Sequence, residues 1–266
     1  SVVGVVGAGP AAEAVEAAVA DLDAVAEPID VAGIGSVDLP VVIGPSGRSV
    51  FDRADGAATG LWVAVELGGI GGRPVADVDA SVSALDPSGG CFDCLRTRVA
   101  STADGEPPAE PRTTRSDARL AGALAGRQVA GLIGGEVEPG RVVELPYAER
   151  GLLPVPGCRC TPPASTDLVR TDDDAPLEEA VARAESAVDG RLGIVREVGE
   201  VHSFPAPYYL TTLADTTAFS DASAGPQAAG VAVDWNAAFV KAIGEALERY
   251  GAGVYRESSF EVAPAA

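Results

Sequence analysis

The four cysteines place the first constraint on the fold. They fall in two close pairs, Cys91-Phe-Asp-Cys94 and Cys158-Arg-Cys160, with 63 residues between the pairs. Gly-Gly precedes the first pair and Pro-Gly the second, so each pair is expected on a tight turn. Two turns that bring four thiolates together build a structural zinc site, closed because every ligand comes from the protein. The alternatives are a redox pair and buried free thiols. A redox Cys-x-x-Cys does not require the second pair, and disulfides do not fit a reducing compartment. The one-residue spacer of Cys158-Arg-Cys160 is tighter than the usual zinc spacing.

Between and around these turns the chain reads as alternating strands and helices. Val2 to Val6 is a short apolar run that breaks at Gly7-Ala-Gly9-Pro10, and Ala11 to Leu22 has helical composition. Strand, glycine turn and helix open an α/β unit. "VDLPVVIG" (37–44) and "GLWVAVEL" (60–67) read as buried strands, and "DARLAGALAGRQVAGLI" (117–133) as a helix. Residues 102–116, rich in Pro, Glu and Arg, read as a loop. A second break comes at "TPPASTDLVRTDDDAP" (161–176), where Pro and an acidic run mark a linker. Beyond it lie a short helix ("LEEAVARAESAV") and two strands ("LGIVREVGEV" and "YYLTTLAD"). A length of 266 residues allows one large domain or two ordinary ones.

The chain carries 39 acids against 19 bases, a formal charge of −20, and its one lysine is Lys241. Acidity spread along the chain, with almost no lysine, points to a protein adapted to high salt, where self-repulsion is screened. The alternative is a merely acidic cytosolic protein. Circular dichroism during dialysis from molar KCl to low salt is therefore expected to show loss of structure. A melting curve that does not change between low and high KCl would contradict the halophilic reading. The same charge excludes non-specific nucleic-acid binding, which depends on neutralising phosphates. No window offers about 18 consecutive apolar residues for a membrane span, and the N-terminus lacks the basic region of a secretion signal. The expected location is the cytoplasm. The opening Ser and the lack of Met fit a processed or trimmed start.

Other motifs carry less chemistry. Gly7-Ala-Gly9-Pro-Ala-Ala12 has the outline of a dinucleotide fingerprint, with Asp30 at a plausible distance for a ribose contact. Strand–helix junctions also need glycine for packing, and packing is the favoured reading. "GPSGRS" (44–49) misses the Walker spacing, with Arg48 where Lys belongs. His202 is the lone histidine, has no evident acidic partner and is read as structural. In "AAFVKAIGEALERYGAGVYRE" (237–257), a helical wheel gathers Phe239, Ile243, Ala246, Leu247 and Tyr250 in one stripe, with Glu245 and Glu248 opposite. Lys241 stands one turn before Glu245, at ion-pair spacing. Periodicity alone makes this an amphipathic helix with a wet face.

Taken together, these pieces resemble the front part of a fused YcaO-type cyclodehydratase of thiazole/oxazole-modified peptide biosynthesis. "VVGVVGAGPAAEAV", "GGCFDCLRTRVAS" and "AERGLLPVPGCRC" resemble its ThiF-like domain, the Rossmann-like fold of ubiquitin-activating enzymes. "RLGIVREVGEV" and "AAGVAVDWNAAFVKAIGEALERYGAGVY" resemble the beginning of the YcaO domain, with Glu-x-x-Glu-Arg as the specific element. The resemblance implies a fold class of α/β: a ThiF-like domain with a structural zinc site over 1–165, an acidic linker over 166–175, and the start of an α+β YcaO domain over 176–266. It implies that Cys91, Cys94, Cys158 and Cys160 hold zinc. It also implies that Glu245 and Glu248 help to hold magnesium facing ATP, with Arg249 near the nucleotide or bracing the carboxylates. Gly230-Val231-Ala232 stands where many relatives have a Gly-Lys-Gly-like turn, and Lys241 where a Ser is common. A YcaO domain continues beyond this length, so the chain is expected to stop inside its catalytic domain and to be inactive alone. The implied partner is a precursor peptide, with a homodimer left open.

Two rival readings remain. One is an adenylating enzyme of the sulfur-carrier type, which needs a competent nucleotide site in the first domain and a thiol not committed to metal. The other is a peptide-docking scaffold without catalysis.

Overall fold

The computed structural model describes residues 1–103, 105–107, 110–161 and 176–260, so the expected linker (166–175) lies outside the described residues. The chain forms two compact units, Ser1–Val99 with Asp104–Pro162, and Ala100–Ala103 with Pro163–Ala266.

In the first unit the valine-rich runs become the centre of a sheet. Strands β1 (Val2–Val6), β2 (Val25–Pro28), β3 (Leu39–Pro45) and β4 (Trp62–Leu67) are parallel, in the order β2-β1-β3-β4. β1, β3 and β4 are buried along most of their length, as strands covered on both faces must be. A two-stranded hairpin, β5 (Gly69–Ile70) with β6 (Arg73–Pro74), follows β4. β7 (Ala80–Leu85), β8 (Arg141–Leu145) and β9 (Ala148–Gly151) then extend the sheet antiparallel from β4 to complete seven strands. These last three strands do not stand out in the sequence. Their Ser, Glu and Arg residues blur the apolar signal, and burial comes from the neighbouring strand.

Helices cover both faces. α1 (Pro10–Ala20) opens with Pro in its first turn, where a missing N–H costs nothing, and buries Ala11, Ala12, Val15 and Val19. α2 (Val50–Ala57) and α3 (Phe92–Thr102) follow, then α4 (Arg115–Gly134). A capping box fixes the start of α4: the Thr114 hydroxyl accepts from Asp117 N at 3.2 Å, and the Asp117 carboxylate accepts from Thr114 N at 3.0 Å. α1 and α4 share one core with Val3, Val5, Val41, Ile43, Val63 and Val65. Trp62, Ala64 and Glu66 alternate with Val63 and Val65, so they point to the other face. There Trp62 meets Phe92 of α3 with ring centres 6.2 Å apart, and Phe92 stacks on Phe51 of α2 at 5.4 Å.

The second unit has α5 (Leu177–Glu185), an antiparallel meander of β10 (Val195–His202), β11 (Tyr208–Leu213) and β12 (Gln227–Val231), and α6 (Trp235–Ala252). Its core gathers Ala184, Val195, Leu213, Ala228, Ile243, Ala246 and Tyr250. Asp234 caps α6, accepting from Ala237 N at 2.9 Å. β12 lies so close to α6 that a β-carbon on Gly230 would sit 2.3 Å from Ala242 N and 2.4 Å from Ala238 O. Backbone on both sides leaves little room to yield. Gly230→Ala is expected to cost about 1–3 kcal/mol or more by overpacking, read as a lower midpoint in thermal or denaturant unfolding. An unchanged midpoint would contradict this packing. Among the described residues, no helix is long and apolar enough to cross a membrane.

Candidate functional site

Sheet topology brings the two cysteine pairs together. Cys91 immediately precedes α3 and Cys94 lies in its first turn, so the first pair opens a helix instead of sitting in a turn alone. The second pair lies in a turn after β9, where Gly157 has φ of +72°. All four sulfurs lie within 4.8 Å of one another, with Cys94–Cys160 at 3.3 Å and Cys91–Cys158 at 3.6 Å. A tetrahedral zinc with Zn–S bonds of about 2.3 Å sets its sulfurs about 3.8 Å apart. The spread found here brackets that spacing. All four are free cysteines; three are buried and Cys158 is partly exposed.

The sulfurs also perturb one another's titration. The hydrogen bond with Cys94 draws Cys91 down to about 5, although burial opposes it. That same bond, with burial, pushes Cys94 upward. Burial pushes Cys158 up to about 11. Four thiolates in this space need a divalent ion between them. The residues therefore fit a soft, four-sulfur metal site.

The other candidate residues lie on α6. The buried face of α6 is Ala238, Ala242, Ile243, Ala246 and Tyr250, whereas Leu247 is 37% exposed. The stripe is rotated from the one expected, because β12 packs on the alanines. Glu245 accepts from Arg249 Nε at 2.8 Å, and Arg249 also donates to the Gln227 carbonyl at 3.1 Å. The expected Lys241–Glu245 pair is replaced: Lys241 Nζ reaches the Val231 carbonyl at 3.4 Å. Glu248 is exposed and has no side-chain partner among the described residues. The two carboxylates, three positions apart on one helix, are oxygen donors of the kind magnesium prefers. Among the described residues, no group of three metal-ligating side chains includes either carboxylate.

Of the two glycines of the first turn, Gly7 is closely packed and Gly9 has open space where a side chain would stand. A β-carbon at Gly7, whose φ is +122°, would lie 2.7 Å from the Ile43 carbonyl. Asp30 caps the short helix Val31–Ser36 by accepting from Gly33 N at 3.0 Å. His202 stacks on Tyr208 with ring centres 6.2 Å apart.

Ser46, within "GPSGRS", is buried and donates to Glu66 at 2.9 Å. Glu66 was not singled out by sequence, since one Glu in "WVAVEL" reads as an outward residue. It is 0% exposed, and Gly71 N and Gly72 N also donate to its carboxylate. Burial raises its pKa to about 7 against these donors, with nearby Asp52 adding to the rise. A value raised above the unfolded 4.5 means that the group's contribution to stability is full below about pH 4.5 and lost as pH rises through about 7. Glu66→Gln, which cannot titrate, should flatten the stability-versus-pH curve from denaturant titrations between pH 5 and 8. The two curves should diverge by about 3 kcal/mol across that range, and parallel curves would contradict the assignment.

No protein-family model matches the chain. No curated protein matches it either. Solved structures do. A heterocyclase in complex with substrate and cofactor superposes over 94% of this chain with a TM-score of 0.60 and 15% identity. The similarity is one of fold. This chain spans 39% of that protein's length. The heterocyclase TruD aligns with 74% of this chain and 33% of its own, at a TM-score of 0.45 and 15% identity.

Proposed function

We propose that this chain is the N-terminal portion of an ATP-dependent YcaO-type cyclodehydratase. In this reading 1–165 is a ThiF-like zinc-bearing docking domain, 166–175 a linker and 176–266 the start of the YcaO domain. The observation that carries it is the fold shared with a substrate-bound heterocyclase across nearly the whole chain, in a chain that also sets four cysteine sulfurs within 4.8 Å. The complete enzyme would transfer a phosphoryl group from ATP to a peptide-backbone amide oxygen. A Cys, Ser or Thr side chain, or an external sulfur donor, then attacks the activated carbon. Loss of phosphate leaves an azoline or a thioamide.

Each residue has a defined part. Cys91, Cys94, Cys158 and Cys160 hold zinc, which braces α3 against the loop after β9. Glu245 and Glu248 present carboxylates to magnesium, and Arg249 orients Glu245. When bound, magnesium would neutralise charge on the transferring phosphoryl group. The partner is a precursor peptide.

Product analysis separates this reading from adenylation by the first domain. The complete enzyme, given ATP and its peptide, should release ADP and phosphate. Peptide-dependent ATP–pyrophosphate exchange would instead favour an adenylating enzyme, and no nucleotide turnover at all would favour a docking scaffold.

A further inference from the structure

The metal-site cysteines come from two segments far apart in sequence, and one side chain outside both segments touches each of them. Asp55, on α2, has a side chain only 2% exposed. Its Oδ1 accepts from Phe92 N, the amide between Cys91 and Cys94, at 2.9 Å. Its Oδ2 accepts from the guanidinium of Arg159, the residue between Cys158 and Cys160. Arg159 is 56% exposed and has a longer contact with Asp93, at 3.8 Å. Asp55 thus holds the middle of each cysteine pair with a different oxygen of the same carboxylate.

We propose that Asp55 is a positioning residue for the four-sulfur site, acting through Phe92 N–H on one pair and through Arg159 on the other. This rests on the metal reading of the cysteines. A buried carboxylate is costly without charge-assisted partners, and both partners here lie inside cysteine pairs. The cost is offset only when the two segments are seated together, so Asp55 favours the arrangement that the metal needs. The Arg159 cation also sits beside a site whose four thiolates would exceed the charge of a divalent ion by two. Partners of this kind, outside the ligand shell, commonly change metal affinity about 10–100-fold.

The test is zinc affinity of the 266-residue chain by competition with a chromophoric chelator, with cobalt(II) spectra recorded alongside. Wild type should bind one zinc and give thiolate-to-cobalt charge-transfer bands of a tetrahedral site. Asp55→Asn keeps an acceptor for Phe92 N–H but loses the charge facing Arg159, and should weaken zinc binding about tenfold. Arg159→Gln, at an exposed position that cannot unfold the core, should weaken it to a similar degree and shift the cobalt bands. The double variant should be little worse than either single one, because both cut the same link. Wild-type affinity and unshifted cobalt bands in both single variants would overturn the role of Asp55 while leaving the metal site standing. A wild-type chain that binds neither zinc nor cobalt would overturn the metal reading, and this inference with it.

Discussion

Cys91→Ser or Cys158→Ser should each remove the bound zinc and lower the melting temperature of the first unit sharply. Elemental analysis of untagged wild-type protein should give close to one zinc per chain, and each variant much less. The expected size follows from what the metal replaces. Apart from a metal, the sulfurs have contacts among themselves and with Val155 N, which donates to Cys94 at 3.2 Å. A four-ligand zinc site is worth about 10–16 kcal/mol in small zinc-folded peptides, comparable to the whole stability of a domain, about 5–15 kcal/mol. Much of the segment after β9 is anchored otherwise: Arg98 of α3 is buried and donates to the Leu153 and Pro154 carbonyls at 3.0 and 2.9 Å. Loss of metal should therefore destabilise the unit by several kcal/mol without erasing its sheet. Fully folded protein that contains no metal and melts as the serine variants do would remove the zinc site.

Much of this architecture could be read in the sequence because its signals are local. Apolar runs such as "VVGVV" and "VVIG" announce buried strands on their own, and the Gly-Gly and Pro-Gly steps before the cysteines announce sharp changes of direction. Other features depended on partners that only topology supplies. Asp55 sits in "VFDRADGA", where an acid on a short helix reads as solvent-facing, yet it turns inward to Phe92 N and Arg159. Glu66 is buried because Ser46 and the Gly71–Gly72 amides converge on it from segments on either side. On α6 the wheel placed Leu247 in the core, but a helix shows a strand its smallest residues when the strand must come close. Gly230 approaches Ala238 and Ala242, and Leu247 is left at the edge. The acidic wet face was legible as a face, and the bracing of Glu245 by Arg249 was one of the two roles that the resemblance implied for Arg249.

Magnesium-dependent ATP chemistry at the glutamate helix would separate a cyclodehydratase from a scaffold that shares its fold. Neither carboxylate supports the core: Glu248 is exposed, and Glu245 makes one half-exposed ion pair with Arg249, worth at most a few tenths of a kcal/mol. Gln keeps size and hydrogen bonding but removes the charge that a hard cation needs. The decisive measurement is peptide-dependent ADP release by the complete enzyme carrying Glu245→Gln or Glu248→Gln, with Glu257→Gln as a control outside the motif. At least a tenfold loss is expected in each of the first two, about 1.4 kcal/mol of transition-state stabilisation, with melting temperature almost unmoved and the control unaffected. Normal turnover in both glutamate variants would contradict it and return α6 to an ordinary amphipathic helix.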